Sequence, residues 1–252
     1  MTQFQFIKDY KGIEQYRLSF NELAHRTFGI DFESWYQRGC WNDRYINYSF
    51  LHEHKVIANV SVNLMDIILD RQVYSAVQIG TVMTDPAYRN QGLSRRLMEI
   101  VIEKYRTSCN FMYLFANKSV LNFYSKFGFT QALEPTYSFD LKPVVTNIPI
   151  IRKLNIHSQE DWNLLLKLHS LRTPISSQCG VMNAEGIFTW YCLNVFSDDI
   201  YVLEDLSTVV IYQQEGHLLH LYDIVSAKEV RLSELVKLLP IQGMKFPKIA
   251  QA

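Results

Sequence analysis

Tyr88-Arg89-Asn90-Gln91-Gly92-Leu93-Ser94 joins a β-rich run, Val77-Gln78-Ile79-Gly80-Thr81-Val82-Met83-Thr84, to a helix-like run from Ser94 to Lys104. A strand that turns through glycine into a helix is a place to hold an anion. The first N–H groups of an α-helix have no intrahelical carbonyl partner and sit at the positive end of the helix dipole, so an arriving phosphate finds oriented donors. Gly92 removes the Cβ that would stand between backbone and ligand. The flanking Arg95 and Arg96 offer charge-assisted contacts to a phosphate-rich group.

Upstream of this turn, Phe4-Gln5-Phe6-Ile7 alternates like a short strand, and Ile13, Tyr16, Phe20, Leu23, Ala24 and Phe28 recur at helical spacing. Asp31 to Tyr36 reads as a second short helix with Asp31 near its cap. Tyr48 to Leu51 and Val56 to Val62, separated by His52-Glu53-His54-Lys55, read as a β-hairpin. Downstream, Leu97, Ile100, Val101 and Tyr105 give the helix an apolar face, and Phe111 to Phe115 fits a buried strand. Lys118 to Lys126 reads as a helix stopped by Gly128, and Tyr137 to Leu141 as a further strand. Residues 142–149 carry two prolines and a single charge, so a domain boundary is expected after residue 141.

Lys plus Arg equals Asp plus Glu, at 25 each, so no overall field draws the chain to nucleic acid or to an anionic membrane, and any anion site must be local. A composition of 48% hydrophobic and 20% charged residues builds a globular core rather than a disordered chain. Neither a basic-then-apolar leader nor a run of eighteen apolar residues is present, so no signal peptide and no membrane span are expected. Cys40, Cys109, Cys179 and Cys192 lie far apart without a Cys-x-x-Cys pair, which disfavours a zinc knuckle or redox motif. Reduced thiols and a cytoplasmic location are the expectation.

The strand, Arg89-Asn90-Gln91-Gly92-Leu93-Ser94, the helix, the next strand, Asn117 and Phe123-Tyr124-Ser125-Lys126-Phe127-Gly128-Phe129 together resemble the GCN5-related N-acetyltransferase (GNAT) superfamily. That family's pyrophosphate loop reads Gln/Arg-x-x-Gly-x-Gly/Ala; Arg89 and Gly92 match it and Ser94 departs from it. The resemblance covers residues 1–141 and implies an α/β (α+β) fold, a mixed, mainly antiparallel central sheet flanked by helices. It also implies acetyl-CoA as cosubstrate, with no metal. The backbone of Val82, Met83 and Thr84 would pair with the pantetheine arm, because a strand edge left without a partner gains from a ligand's amides. Arg89, Asn90, Gln91, Gly92, Leu93, Ser94 and Arg95 would hold the pyrophosphate. Asn117 would contact the cofactor, or cap a helix, or both. Gly80 is expected at the bulge that opens the strands. Tyr124 would be the catalytic acid, its hydroxyl lying at a helix start beside the sulfur; with an ordinary pKa of about 10 it stays protonated at neutral pH and can donate to a departing thiolate. The alternative for Tyr124 is a core ring packed on Phe127 and Phe129.

The implied reaction is direct transfer in a ternary complex, with backbone N–H groups near Val82 or Met83 stabilising the oxyanion and no covalent enzyme intermediate. A general base is not legible. Gln78 stands where some relatives carry glutamate and cannot act as one. Asp66, Glu53, His52 and His54 are candidates by residue type alone, and His52-Glu53-His54 cannot converge on one metal ion without a further ligand. Trp35, Tyr36 and Trp41 fall in the segment that borders the acceptor pocket in relatives, as a cage for a cationic amine or as ordinary packing.

Ile200 to Val225 repeats the hairpin-then-strand pattern of residues 48–84, and Asp223-Ile224-Val225-Ser226 stands where the first strand exits. Ala227 to Leu232 contains no glycine. Residues 142–252 are therefore expected to form a smaller, truncated GNAT-like domain without an anion turn. The expected partner is a small-molecule amine, or a peptide, as acceptor; a homo-oligomer is compatible, and neither nucleic acid nor membrane is expected. A catalytically silent CoA-binding sensor or interaction module is the alternative reading.

Overall fold

The structure is a computed structural model that describes residues 4–133, 137–140, 151–176, 178–216, 218–239 and 248–251. In chain order the elements begin with β1 (Gln5–Lys8), α1 (Glu14–Phe28), α2 (Glu33–Gln37), β2 (Tyr45–His52), β3 (Lys55–Leu69) and β4 (Gln72–Thr84). Then follow α3 (Leu93–Tyr105), β5 (Phe111–Leu114), α4 (Leu121–Tyr124), β6 (Tyr137–Asp140), β7 (Ile151–Lys153) and α5 (Gln159–Ser170). The remainder comprises β8 (Cys179–Met182), α6 (Glu185–Asn194), β9 (Ile200–Leu203), β10 (Thr208–Glu215), β11 (Leu218–Val225), α7 (Leu232–Leu235) and β12 (Lys248–Gln251). Two compact units are formed, one from the described residues of Met1–Gln131 with Ser177–Trp190, the other from those of Ala132–Ser176 with Tyr191–Ala252. The units interleave along the chain, where the sequence suggests a single boundary after residue 141.

The first unit holds a sheet in the order β1-β2-β3-β4-β5, with β8 added to the distal half of β3. All its pairs are antiparallel except β4 with β5. Both hairpins turn through two residues of positive φ, Glu53 and His54 (47° and 62°), then Asp70 and Arg71 (48° and 66°), the turn geometry whose twist matches that of the strands. β3 and β4 run well past the segments legible as strands. Their distal halves mix polar and apolar residues, and Asp66–Leu69 gain a second partner only from β8, far along the chain.

α3 is held by its apolar stripe. Leu93, Leu97, Met98, Val101 and Tyr105 are buried and pack on Tyr48, Phe50, Val60, Val62, Val77 and Ile79 of the sheet. Each such aliphatic side chain stabilises the fold by about 1.5–3 kcal/mol, which locks the helix start beside the end of β4. On α1 and α2, Arg17 donates to both Glu33 carboxylate oxygens (2.9 and 3.2 Å) while Asn21 donates at 3.1 Å, and Arg17 holds the Glu33 carboxyl below its usual range. Asp31, next to the N-cap Phe32, accepts the Glu33 N–H at 2.7 Å and so satisfies the first donor of α2.

The second unit holds a sheet in the order β6-β12-β11-β10-β9-β7, antiparallel throughout except β11 with β12. Its core contains Leu203, Val210, Leu219, Leu221, Ile224, Leu235 and Val236. Its plan repeats the first: a short strand beside the hairpin, a three-strand meander, then a final strand parallel to the third. Even the irregularity recurs. Ile211 pairs with Asp223 and Tyr212 with Leu221, so Tyr222 is an extra residue on β11. Where the first unit places the three-and-a-half-turn α3, the second places α7, four residues followed by a single tighter turn. Among the described residues no helix is long and apolar enough to cross a membrane.

Candidate active site

β4 and β5 pair only from Ala76↔Phe111 to Ile79↔Leu114, so Gly80 to Thr84 continue with no β5 neighbour. That open edge begins at a bulge. Asn59 pairs with Met83 and Ser61 with Gly80, so Val60 faces two residues of β4, Thr81 and Val82. The strained position is Thr81, at φ 49°, rather than the expected Gly80, whose φ is not positive. A β-branched residue in the left-handed region needs outside support.

That support is a buried polar network. Asn59 donates from Nδ2 to the Thr81 carbonyl at 2.8 Å and to Ser61 Oγ at 2.9 Å, and its Oδ1 accepts from Ser49 Oγ at 2.8 Å. Tyr45 reaches Thr81 Oγ1 at 2.8 Å, Asn47 donates to Ser61 Oγ at 3.2 Å, and Tyr10 meets Ser49 Oγ at 2.6 Å. Asn59, Ser61 and Ser49 are fully buried. Burial pushes the Tyr45 hydroxyl up to about 12 despite its bonds to Ser61 and Thr81, so it remains a donor. None of these residues stands out in the sequence as belonging to a site. The available signal is the alternation Asn47, Ser49 on β2 and Asn59, Ser61, Asn63 on β3, which reads as a solvated face and is a buried one.

Beyond Thr84 the chain makes one tight turn, Pro86–Tyr88, capped by Asp85, and reaches α3 with Asn90 at φ 62° and Gly92 at φ 73°. The first bond into the helix runs from Arg96 N–H to the Gly92 carbonyl at 3.0 Å, and Gly92 supplies no capping side chain. The N–H groups of Leu93, Ser94 and Arg95 therefore have no intrahelical acceptor. Ser94, the departure from the family pattern, bonds through Oγ to Thr84 Oγ1 at 2.6 Å, tying the strand's end to the helix's first turn. Arg89 lies against the Thr84 carbonyl (Nε to O 3.4 Å), Arg95 pairs with Glu99 at 2.9 Å on the surface, and Arg96 stacks 4.6 Å over the Phe50 ring. Tyr88 is held by His52, Nδ1 to hydroxyl 2.7 Å.

Asn117 precedes a tight turn at Lys118–Val120, and its side chain makes no capping bond, which leaves it exposed for a ligand. The expected helix Lys118 to Lys126 is broken, α4 being one turn flanked by tighter turns and closed by Gly128 at φ 84°. Tyr124 ends α4 rather than starting a helix. It is half-buried against Phe123 and Phe129 (centroids 5.2 and 6.4 Å), burial raises its pKa, and its hydroxyl has no protein hydrogen-bond partner among the described residues.

The base candidates do not converge on the bulge. Asp66 pairs across β4 with Ser75, six residues from Thr81 and so about 20 Å along the strand, and is bonded to Asn183 at 2.5 Å. Glu53 and His54 form the β2–β3 turn, and His52 serves Tyr88. Gln78 lies on β4 between Asn63 and Tyr113. Trp35 and Trp41 are core residues rather than a cage: both are buried, stacked at 5.5 Å, with their indole N–H groups on Gly186 and Thr189 and on the Tyr45 carbonyl. The Tyr36 ring is covered by the Arg17 guanidinium at 3.8 Å. Among the described residues no group of three or more His, Cys, Asp or Glu is placed to hold a metal ion.

A mixed sheet opened at a bulge beside a glycine-started helix is the architecture of the GNAT acetyltransferases. Residues 14–132 match the family model described as Acetyltransferase (GNAT) domain, and this part of the chain is a GNAT domain. Two solved structures share the fold of nearly the whole chain. One is a conserved protein of unknown function, probable N-acyltransferase, from Enterococcus faecalis V583, at 16% identity and a TM-score of 0.66, covering 99% of this chain and 65% of that one. The other is a GCN5-related N-acetyltransferase from Kribbella flavida, at 14% identity and a TM-score of 0.58, with the same coverage of 99% and 65%. The likeness is one of fold, and this chain spans 65% of the length of each. Among curated protein sequences none matches this chain.

Proposed function

We propose that this chain is an acetyl-CoA-dependent N-acetyltransferase that passes the acetyl group directly to the amine of a small-molecule or peptide acceptor. The observation that carries the reading is the sequence adjacency of two unsatisfied backbone features: the open β4 edge, Gly80 to Thr84, and the free N–H groups at the start of α3. An extended amide-bearing arm that ends in a pyrophosphate matches both. Val82, Met83 and Thr84 would pair with the arm; the backbone of Asn90 to Arg95, with Arg89 beside it, would hold the phosphates; Asn117 would contact the cofactor from its exposed side chain. The Val82 N–H is a donor for charge developing on the acyl oxygen. Tyr124, kept neutral by burial and with no hydrogen-bond partner for its hydroxyl among the described residues, is suited to protonate the departing thiolate. Residues 1–141 would carry this site, and the second unit would be a degenerate second copy whose α7 offers no glycine-started phosphate loop.

One observation favours a second reading, a silent CoA-binding module: none of Asp66, Glu53, His52 and His54 reaches the bulge, so proton removal from the amine falls to water. Release of CoA thiol from acetyl-CoA, measured against a panel of small amines and peptides, decides between the two. Tyr124→Phe is expected to lower kcat by about 10²-fold while leaving acetyl-CoA affinity intact. Tight acetyl-CoA binding with no turnover on any amine would leave the silent module; an unchanged kcat in Tyr124→Phe would remove Tyr124 from the chemistry.

A further inference from the structure

Thr81 and Val82 share one peptide unit, and both ends of that unit bear on the transfer centre. The peptide is trans, so its C=O and N–H point in opposite directions. Asn59, on β3, draws the Thr81 carbonyl toward β3 with a 2.8 Å bond. The Val82 N–H on the other side of the same plane is thereby turned away from β3, toward the edge where β5 no longer runs. Neither Thr81 nor Val82 has a partner in the β3 register, so this unit lies outside the regular ladder of β3 and β4. The left-handed backbone of Thr81 makes the orientation costly, and the network offsets that cost at three points: Asn59 on the carbonyl, Tyr45 on Oγ1, and Ser49 and Ser61 holding Asn59 itself. The Asn59 amide uses both of its donors and one acceptor site of its Oδ1, which fixes its orientation as well as its rotamer.

We propose that Asn59 is a positioning residue for acyl transfer: by gripping the Thr81 carbonyl it flips the Thr81–Val82 peptide and aims the Val82 N–H at the acyl oxygen. This rests on the acetyltransferase reading above. It assigns to a buried amide, which touches no substrate, the task of preorganising the donor that does. Tyr45 acts with it by holding the Thr81 side chain on the side of the network.

The test compares wild type, Asn59→Ala and Asn59→Ala with Thr81→Gly, reading kcat, KM for acetyl-CoA, melting temperature and the Val82 amide resonance in 15N-labelled protein. Asn59→Ala is expected to lose about 10²-fold in kcat, the usual effect of an oxyanion donor, with KM nearly unchanged because the phosphate loop is untouched. Adding Thr81→Gly is expected to recover at least a tenth of the wild-type kcat, since glycine holds the left-handed conformation unaided. A merely structural role predicts no recovery, because the bonds from Asn59 to Ser49 and Ser61 stay broken. In wild type, acetyl-CoA should shift the Val82 amide further than CoA without its acetyl group does; in Asn59→Ala that difference should vanish. An unchanged kcat, a loss without recovery, or an acetyl-dependent Val82 shift that persists in Asn59→Ala would overturn the proposal. If wild type turns over no amine, the acetyltransferase reading fails, and the Val82 shift alone decides the role of Asn59; if wild type does not bind acetyl-CoA, both fail. Should Asn59→Ala not fold, Tyr45→Phe is expected to lower kcat by about tenfold, and an unchanged kcat there refutes the mechanism.

Discussion

Gly92 and Gly128 offer a matched pair of substitutions that separates a ligand cradle from an ordinary turn. Both are left-handed, at φ 73° and ψ 14° and at φ 84° and ψ 6°, and among the described residues an added Cβ at either meets no atom within 4 Å. Gly92→Ala and Gly128→Ala should therefore lose stability by the backbone term alone, about 1–2 kcal/mol each, which lowers the melting temperature by roughly 2–4 °C per kcal/mol in a protein of this size. Only at Gly92 does the new methyl stand in front of the free N–H groups of α3. A phosphate forced back there loses a charge-assisted hydrogen bond worth about 1.5–3 kcal/mol, or about 10- to 150-fold in Kd. Calorimetric titration with CoA, paired with thermal unfolding, gives both quantities. Equal CoA affinity in the two variants, or an unchanged Kd in Gly92→Ala, would refute the assignment of this turn to the pyrophosphate.

Ser94→Ala removes the 2.6 Å bond to Thr84 and is expected to cost about 0.5–1.5 kcal/mol of stability while CoA titration shows little change, since the phosphate donors are backbone groups; a tenfold loss of affinity would make the hydroxyl a ligand contact. His169, in the second unit, has its pKa lowered from 6.5 to about 4, mainly by burial and then by Arg172. The unfolded chain binds this proton below about pH 6.5 and the folded one only below about pH 4, so stability is full above pH 6.5 and declines as pH falls through that window, by up to about 1.4 kcal/mol per pH unit. Urea unfolding between pH 4 and 8 should show that slope in wild type and a flatter one in His169→Gln; equal slopes would mean that His169 is not held neutral. The depressed Glu33 carboxyl acts in a lower window, below its ordinary value of 4.5, where its stabilising charge is lost.

Much of the first unit is legible because its signals are local. The apolar stripe of α3, the short helix after Asp31, the hairpin through His52 to Lys55 and the glycine that opens α3 each depend on residues a few positions apart, and all are found where the sequence suggests, the hairpin turn tightening to Glu53-His54. What escapes a sequence reading depends on distant partners. The strand Cys179–Met182 has no strong pattern of its own and becomes β8 by pairing with β3, which also explains why β3 and β4 are longer than their apolar runs. The intended helix around Asn117 and Tyr124 breaks into short turns as Phe123, Tyr124, Phe127 and Phe129 pack together on the α3 core. The polar alternation of β2 and β3 is misread for the same reason: period two tells which residues share a face, and only packing tells whether that face meets water.

By itself the sequence determined the order of the elements from β1 to β5, the anion-holding turn at Arg89 to Ser94 and the resemblance to the GNAT acetyltransferases, because each rests on short-range backbone chemistry. The tertiary structure alone decided where the opening in the sheet begins. It moved the bulge from Gly80 to Thr81, since a β-branched residue can hold a left-handed conformation only when groups from other strands satisfy its carbonyl and hydroxyl, and Asn59 and Tyr45 are brought to it by the sheet register rather than by the chain.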